Sequence, residues 1–333
     1  VKIFIDQLLP VFPQETFMIR TFFAALVALI LVLPHATLAK AEQSKLTVLL
    51  DWFVNPNHAP LVIAAQKGYF ADAGLDVELV PPADPSAPPR LVAAGQADIA
   101  ISYQPQLHIQ VAEGLPLSRI GTLVETPLNT LVVLADGPLR SVADLKGKTV
   151  GFSVGGFEDA LLGAMLTNAG LTLEDVTLVN VNFALSPALI SGRVDGVIGA
   201  FRNFEMTQLK LENHEGQAFY PEELGVPVYD ELIYVARNDG LERPEMRAFI
   251  EATERAVIWL TNHPEEGWAL FLKAHPDLDN ELNRQAWIDT MPRFAKRPAA
   301  LDTARYVRFA EFMRDSGLID AVVPVEQFAV ELP

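Results

Sequence analysis

Short apolar runs alternate along this chain with stretches whose apolar residues return every three or four positions. After Lys45 an apolar run at 46–50 precedes a helical pattern at 59–67, Gly68-Tyr69-Phe70, and a second strand-like run at 76–80. The segment 81–89 holds five prolines. No regular structure is expected there, because proline fixes φ and removes a backbone donor. A short helix is then expected at 90–95, a third strand at 97–101, a helix at 106–113, and strands at 117–124 and 129–134. At Ser141 the pattern restarts, with strands at 149–153, 176–181 and 194–200 and helices at 158–168, 186–191 and 205–211. An irregular stretch runs to Pro227, an apolar strand follows at 229–236, and four helices are expected at 244–261, 264–274, 280–291 and 303–316. Strand–helix alternation of this kind predicts parallel sheets with helices on both faces. Two such units and a helical tail predict an α/β fold of two lobes with a ligand cleft and a hinge. The first lobe is expected to hold residues 42–135 and 236–333, and the second 136–235. A ligand would sit between them, against loops at the carboxyl ends of strands.

Composition narrows the function. Half of the 333 residues are hydrophobic, enough for a sizeable core. A net charge of −17 argues against a nucleic-acid partner, which would need a basic face. The absence of Cys excludes disulfides, thiolate metal sites, thiol nucleophiles and a lipid anchor on cysteine. Near the start, Met18-Ile19-Arg20 precedes an unbroken apolar run of 12 residues from Phe22 to Leu33. That run is shorter than the roughly 20 residues needed to cross a bilayer core. With Ala39-Lys40-Ala41 beyond it, residues 18–41 read as a cleavable signal peptide and 1–17 as an upstream extension. The expected location is periplasmic.

Candidate chemistry gathers in loops. The six His, at 35, 58, 108, 214, 263 and 275, form no ligand pair, so no metal is expected. No G-x-S-x-G occurs and no catalytic set or cofactor is expected. Ser153-Val154-Gly155-Gly156-Phe157 leads into a helix and would suit either an anion cradle or a tight strand-to-helix turn. The densest stretch is Asp51-Trp52-Phe53-Val54-Asn55-Pro56-Asn57-His58, just after the first strand. As ordinary structure it is a helix-capping turn with Asn57 as the cap, Trp52 in the core and His58 a buried structural residue. Tyr103-Gln104-Pro105-Gln106 and Phe201-Arg202-Asn203-Phe204-Glu205 follow two other strands. Trp52, Tyr103, Phe157 and Phe201 supply flat apolar surface, while Asn57, His58, Gln104, Asn203 and Glu205 supply directional polar groups. That mixture suits a planar, nitrogen-rich ring. The same Glu205 reads equally well as a first-turn acid favoured by a helix dipole.

These motifs, with Ala64-Ala65-Gln66-Lys67-Gly68-Tyr69-Phe70, Gly95-Gln96-Ala97-Asp98 and Gly192-Arg193-Val194-Asp195, resemble the thiamin-pyrimidine group of ABC-transporter substrate-binding proteins. The likeness runs from about Lys45 to Gly317. Its glycine-containing pieces are shared with nitrate, sulfonate and taurine binders, and its D-W-F-x-N-x-N-H turn, Y-Q-P-Q and Asn203-x-Glu205 pieces are narrower. The resemblance implies a type II periplasmic binding fold and a monomeric receptor that delivers a pyrimidine thiamin precursor to an ABC permease at the inner membrane. It implies that Trp52 and Tyr103 sandwich the ring, that Glu205 accepts from its amino edge, and that Asn57, His58 and Asn203 orient it. Val54 replaces a proline common in the turn, and Phe201-Arg202 stands where relatives often carry Tyr-Trp, which would widen the pocket or charge its rim. The alternatives left open are another heteroaromatic such as a flavin, a small sulfonate, a sensor without a permease, or a periplasmic enzyme. The related pyrimidine-precursor synthase uses a lysine and a histidine, at whose positions this chain has Ser102 and Gln106, and a Cys-rich segment that this chain lacks.

Overall fold

Among the described residues, ten strands form two five-stranded sheets of the same design. The computed structural model describes residues 43–332, so the expected upstream extension and signal peptide lie outside the described residues. The first sheet contains β1 (Ser44–Leu49), β2 (Leu75–Val80), β3 (Ile99–Ser102), β4 (Leu117–Val124) and β10 (Leu232–Arg237), in the order β2-β1-β3-β10-β4. The second contains β5 (Asn129–Leu134), β6 (Thr149–Phe152), β7 (Thr177–Asn180), β8 (Gly196–Phe201) and β9 (Gly216–Phe219), in the order β7-β6-β8-β5-β9. In each, three parallel strands meet one antiparallel strand that arrives from the other lobe's side of the chain: β10 beside β3, and β5 beside β8.

The expected lobe limits therefore shift at both crossings. Strand 129–134 was expected in the first lobe and belongs to the second sheet, whereas most of the strand expected at 229–236 belongs to the first sheet. The chain crosses at 125–128 and again between β9 and β10. Uniform burial explains the ambiguity: every residue of β4 is buried, as are the first five of β5 and of β10, so no polar face marks which sheet each joins. Glu231, fully buried, ties the crossings together by accepting from the N–H groups of Leu128 at 2.5 Å and Asn129 at 2.9 Å.

Helices cover the sheets: α1 (Ala59–Gln66), α2 (Tyr69–Asp72), α3 (Pro88–Ala93), α4 (Gln104–Ala112), α5 (Glu158–Asn168), α6 (Leu185–Ile190) and α7 (Glu205–Leu211). The tail supplies α8 (Pro244–Asn262), α9 (Pro264–Ala274), α10 (Glu281–Thr290) and α11 (Thr303–Asp315). The proline-rich segment is more regular than expected, because Pro88 and Pro89 open α3. A first-turn proline loses no intrahelical hydrogen bond. The tail is anchored by Arg119 of β4, which is fully buried and donates to the carbonyls of Pro298 and Ala299 at 3.0 Å and Val330 at 3.2 Å.

Candidate functional site

The turn after β1 is built by its own polar side chains. The cap is Asn55 and not Asn57: Asn55 is extended and caps the short 3-10 turn Pro56–His58, accepting from the Asn57 N–H at 2.8 Å. His58 returns the bond, its Nδ1 accepting from the Asn55 N–H at 3.2 Å. With Nδ1 an acceptor, the proton of the neutral ring lies on Nε2, which donates to Asp51 Oδ1 at 2.9 Å. The second Asp51 oxygen accepts from the Tyr103 hydroxyl at 3.1 Å. Burial, and then the neighbouring Asp51, push the Tyr103 pKa up, so the phenol stays a donor. Thus a buried carboxylate joins the turn to the residue before α4.

Two glutamates from the second lobe are held by a shared device. Glu158 opens α5 and accepts from the Ser153 N–H at 2.6 Å, while Glu205 opens α7 and accepts from the Phe201 N–H at 2.7 Å. Each reaches back to the end of the preceding strand or the residue after it. Burial raises the Glu158 pKa to about 8 and that of Glu205 to about 7, against backbone donors that pull both down. Gly199, at φ +98°, makes room for the first of these: a Cβ there would stand 2.3 Å from Glu158 Oε1. No side chain fits that position without displacing the carboxyl.

Both acids face a small cavity with about 20 Å³ of free space. Asp51, Trp52, Asn55, Asn57 and Tyr103 line it from the first lobe, and Glu158, Leu185, Gly199, Phe201, Phe204 and Glu205 from the second. No Lys, Arg or His is among these lining residues. Three carboxyls and four aromatic rings make a wall that accepts hydrogen bonds and covers flat apolar faces. Among the described residues no group of three His, Asp or Glu is placed to hold a metal ion, and no helix is long and apolar enough to cross a membrane.

Of the residues singled out in the sequence, Trp52, Asn57, Tyr103, Phe201 and Glu205 lie on this wall. The others stand behind it. Phe157 is fully buried and stacks on Tyr103, with ring centroids 4.6 Å apart and planes 15° apart. His58 orients Asp51. Asn203 donates to Asn57 Oδ1 at 2.8 Å and to Thr290 Oγ1 of α10 at 2.7 Å, linking the lobes beside the cavity. Gln104 is directed elsewhere, accepting from the Asp230 N–H at 2.8 Å at the second crossing. Arg202 does not charge the rim: it pairs with Glu222 at 2.6 Å and donates to the Asn129 carbonyl at 3.2 Å, beside the crossings.

Residues 55–267 match the family described as NMT1/THI5 like. The chain belongs to that family. A protein of Haemophilus influenzae assigned provisionally to thiamine biosynthesis is 52% identical over 297 residues, covering 89% of this chain and 95% of the relative. The formylaminopyrimidine-binding protein of Halalkalibacterium halodurans is 37% identical over 227 residues, covering 68% of this chain and 69% of the relative. At 28% identity, the 4-amino-5-hydroxymethyl-2-methylpyrimidine phosphate synthase of Legionella pneumophila covers 76% of this chain and 81% of its own length. The alkanesulfonate-binding protein SsuA of Xanthomonas axonopodis pv. citri, solved with MOPS, superposes with a TM-score of 0.67 at 18% identity, covering 87% of this chain and 99% of that one. That likeness concerns the fold, the two-lobed α/β type II periplasmic binding fold.

In this NMT1/THI5-like protein, four wall residues of the second lobe escape local sequence reading. Glu158 looks like any acid in a helix's first turn, and Leu185 like core. Phe204 lies within the Phe201–Glu205 stretch, where nothing local sets it apart from core. Gly199 carries the clearest signal, a glycine inside an apolar strand, which marks close approach by another group.

Proposed function

We propose that this protein is the solute receptor of an ABC importer: it is exported to the periplasm, captures a pyrimidine thiamin precursor between its lobes, and hands it to a permease at the inner membrane. The observation that carries the reading is the composition of the cavity wall, with carboxyls and aromatic rings and no cationic side chain. Trp52, Tyr103, Phe201 and Phe204 offer faces for a planar ring, and Glu205 accepts from an exocyclic amine on its edge. Asn57 orients the ring from the inter-lobe side, Asn203 holds Asn57 in place from behind the wall, and His58 fixes the Asp51 carboxylate. A sulfonate or nitrate site would need cations or converging amides where this protein has acids.

Family membership extends to synthases, so an enzymatic role is the rival reading. It finds no support at Ser102 and Gln106, which are buried and bonded to each other, Oγ to Oε1, at 3.0 Å. Capture proceeds by closing of the lobes over the ring, and the closed form is what the permease recognises.

A thermal-shift screen tests the proposal, with aminopyrimidines, thiamin, riboflavin, taurine and nitrate as probes. A ligand at 100 times its dissociation constant stabilises by about 2.7 kcal/mol, which is readily seen. A shift with aminopyrimidines alone is expected. A shift with taurine or nitrate instead would overturn the ligand, and conversion of a bound pyrimidine would overturn the receptor role.

A further inference from the structure

Beside the cavity the two lobes bond directly to each other. Asn203, in the loop between β8 and α7 of the second lobe, gives both hydrogens of its amide to the first-lobe side. One goes to Asn57 Oδ1 at 2.8 Å and the other to Thr290 Oγ1 at 2.7 Å. The Thr290 hydroxyl directs its own hydrogen to the Ala286 carbonyl at 2.6 Å, one turn back in α10, which turns its lone pairs toward Asn203. Helix α10 moves with the first lobe, because Trp287 packs on Trp268 and Phe271 of α9, with centroids 5.3 Å and 5.5 Å apart, and α9 lies against α1. Asn57, Asn203 and Thr290 are all buried. Two ring pairs also join the lobes, Tyr103 on Phe157 and Trp52 on Phe183. The cavity beside these contacts, about 20 Å³, holds about one water molecule, so a ligand-sized body enters only when the lobes part.

We infer that Asn203 and Thr290 form a latch that closes the lobes on each other without a ligand, so that the free protein rests closed and capture starts from an open minority. Each bond of the latch runs from protein to protein, and closure needs no ligand to complete it. The latch is also finely balanced. Closing strands Asn203 Oδ1, which is buried with no donor among the described residues, whereas opening returns it to water. Two bonds formed against one acceptor stranded leave a small net gain, which the loss of one bond is enough to reverse. Thr290 is therefore a positioning residue: it touches no ligand, and it sets apparent affinity through the fraction of protein that is open. The inference does not rest on the pyrimidine reading and holds whichever ligand is captured.

Pulsed electron–electron resonance tests it in the full protein, with spin labels at Glu78→Cys in the first lobe and Glu174→Cys in the second. Both positions are exposed, and the chain has no Cys of its own to take up label. With no ligand added, the otherwise wild-type protein is expected to show mostly the shorter of two lobe separations. Thr290→Val, which keeps the shape and removes the hydroxyl, is expected to lower the ratio of closed to open about tenfold. Thr290→Ser, which keeps the hydroxyl, is expected to restore the wild-type ratio. Asn203→Ala cuts the latch from the other lobe and is expected to shift the ratio the same way, which decides the matter if Thr290→Val does not fold. A wild-type protein found mostly at the longer separation would overturn the inference, as would an unchanged ratio in Thr290→Val or Asn203→Ala. Thr290→Ser behaving like Thr290→Val would overturn it too, because the threonine methyl and not the hydroxyl would then hold the lobes. None of these results bears on the identity of the ligand, which the thermal-shift screen decides separately.

Discussion

Asp51 illustrates how a single buried side chain can carry a site without any partner of opposite fixed charge. Its two oxygens are divided between an imidazole and a phenol that approach from different segments, so the carboxylate is oriented on both sides. Tyr103→Phe would leave one oxygen of a buried carboxylate without its donor, and the expected cost is about 1–3 kcal/mol of folding stability in urea titrations. An unchanged midpoint would mean that Oδ2 finds another donor. Glu205→Gln, in contrast, should leave the fold intact and, above about pH 8 where Glu205 is ionised, weaken aminopyrimidine binding by about 1.5–3 kcal/mol in calorimetry, the worth of a hydrogen bond to a charged group. Equal affinity would remove Glu205 from ligand recognition. At this scale the sequence is legible where chemistry is concentrated in one stretch. Trp52 and Asn57 fall in a turn whose capping is local, and both line the cavity. It is not legible where side chains meet across the chain. Nothing near Gln104 announces that its amide is spent on Asp230, and nothing near Glu158 announces that Gly199 clears its place.

Loops from opposite lobes also touch through rings at the cavity. Trp52 meets Phe183 edge-on, with centroids 4.6 Å apart and planes at 68°, and Phe53 lies 6.2 Å from both Phe183 and Phe204. Phe53 is 42% exposed beside them. An edge-to-face pair is worth about 0.5–1.5 kcal/mol beyond its buried area. Phe183→Ala is therefore expected to speed ligand dissociation about threefold to tenfold in stopped-flow fluorescence, with a smaller change in association. Equal effects on both rates would assign Phe183 to the open form as well. The elements that present these rings were readable because strand and helix periods differ clearly. Strands Leu117–Val124 and Asn129–Leu134 and helix Pro264–Ala274 fall where the pattern puts them. Two elements were misjudged for physical reasons. Proline at 88 and 89 signals a break in general but a start at a helix N-terminus. Strand β9 (Gly216–Phe219) is only four residues long and half-buried throughout, too short for alternation to stand out.

Across the whole molecule, buried acids set how stability responds to pH. Glu158, Glu205 and Glu231 each have a folded-state pKa raised by burial, to about 8, about 7 and about 7, from an ordinary value of 4.5. The folded protein thus binds these protons more tightly than the unfolded chain does. Their contribution is full below about pH 4.5 and is lost as pH rises through the folded values, so stability should fall between about pH 5 and pH 8. The slope from any one group is at most about 1.4 kcal/mol per pH unit. Glu231 is the residue on which to test this, because it lines no part of the cavity and its carboxyl joins the two crossings between sheets. Glu231→Gln retains an acceptor for the Leu128 and Asn129 N–H groups and removes the proton. Calorimetric melting of the two proteins from pH 5 to pH 8.5 should show a shallower decline for the variant, with the curves diverging below about pH 7, where the wild-type residue keeps its proton only while folded. Parallel curves would mean that Glu231 ionises in the folded protein as it does in the unfolded chain. The hinge would then be held by a carboxylate rather than by a neutral acid, and the pH response would have to come from the two glutamates at the cavity.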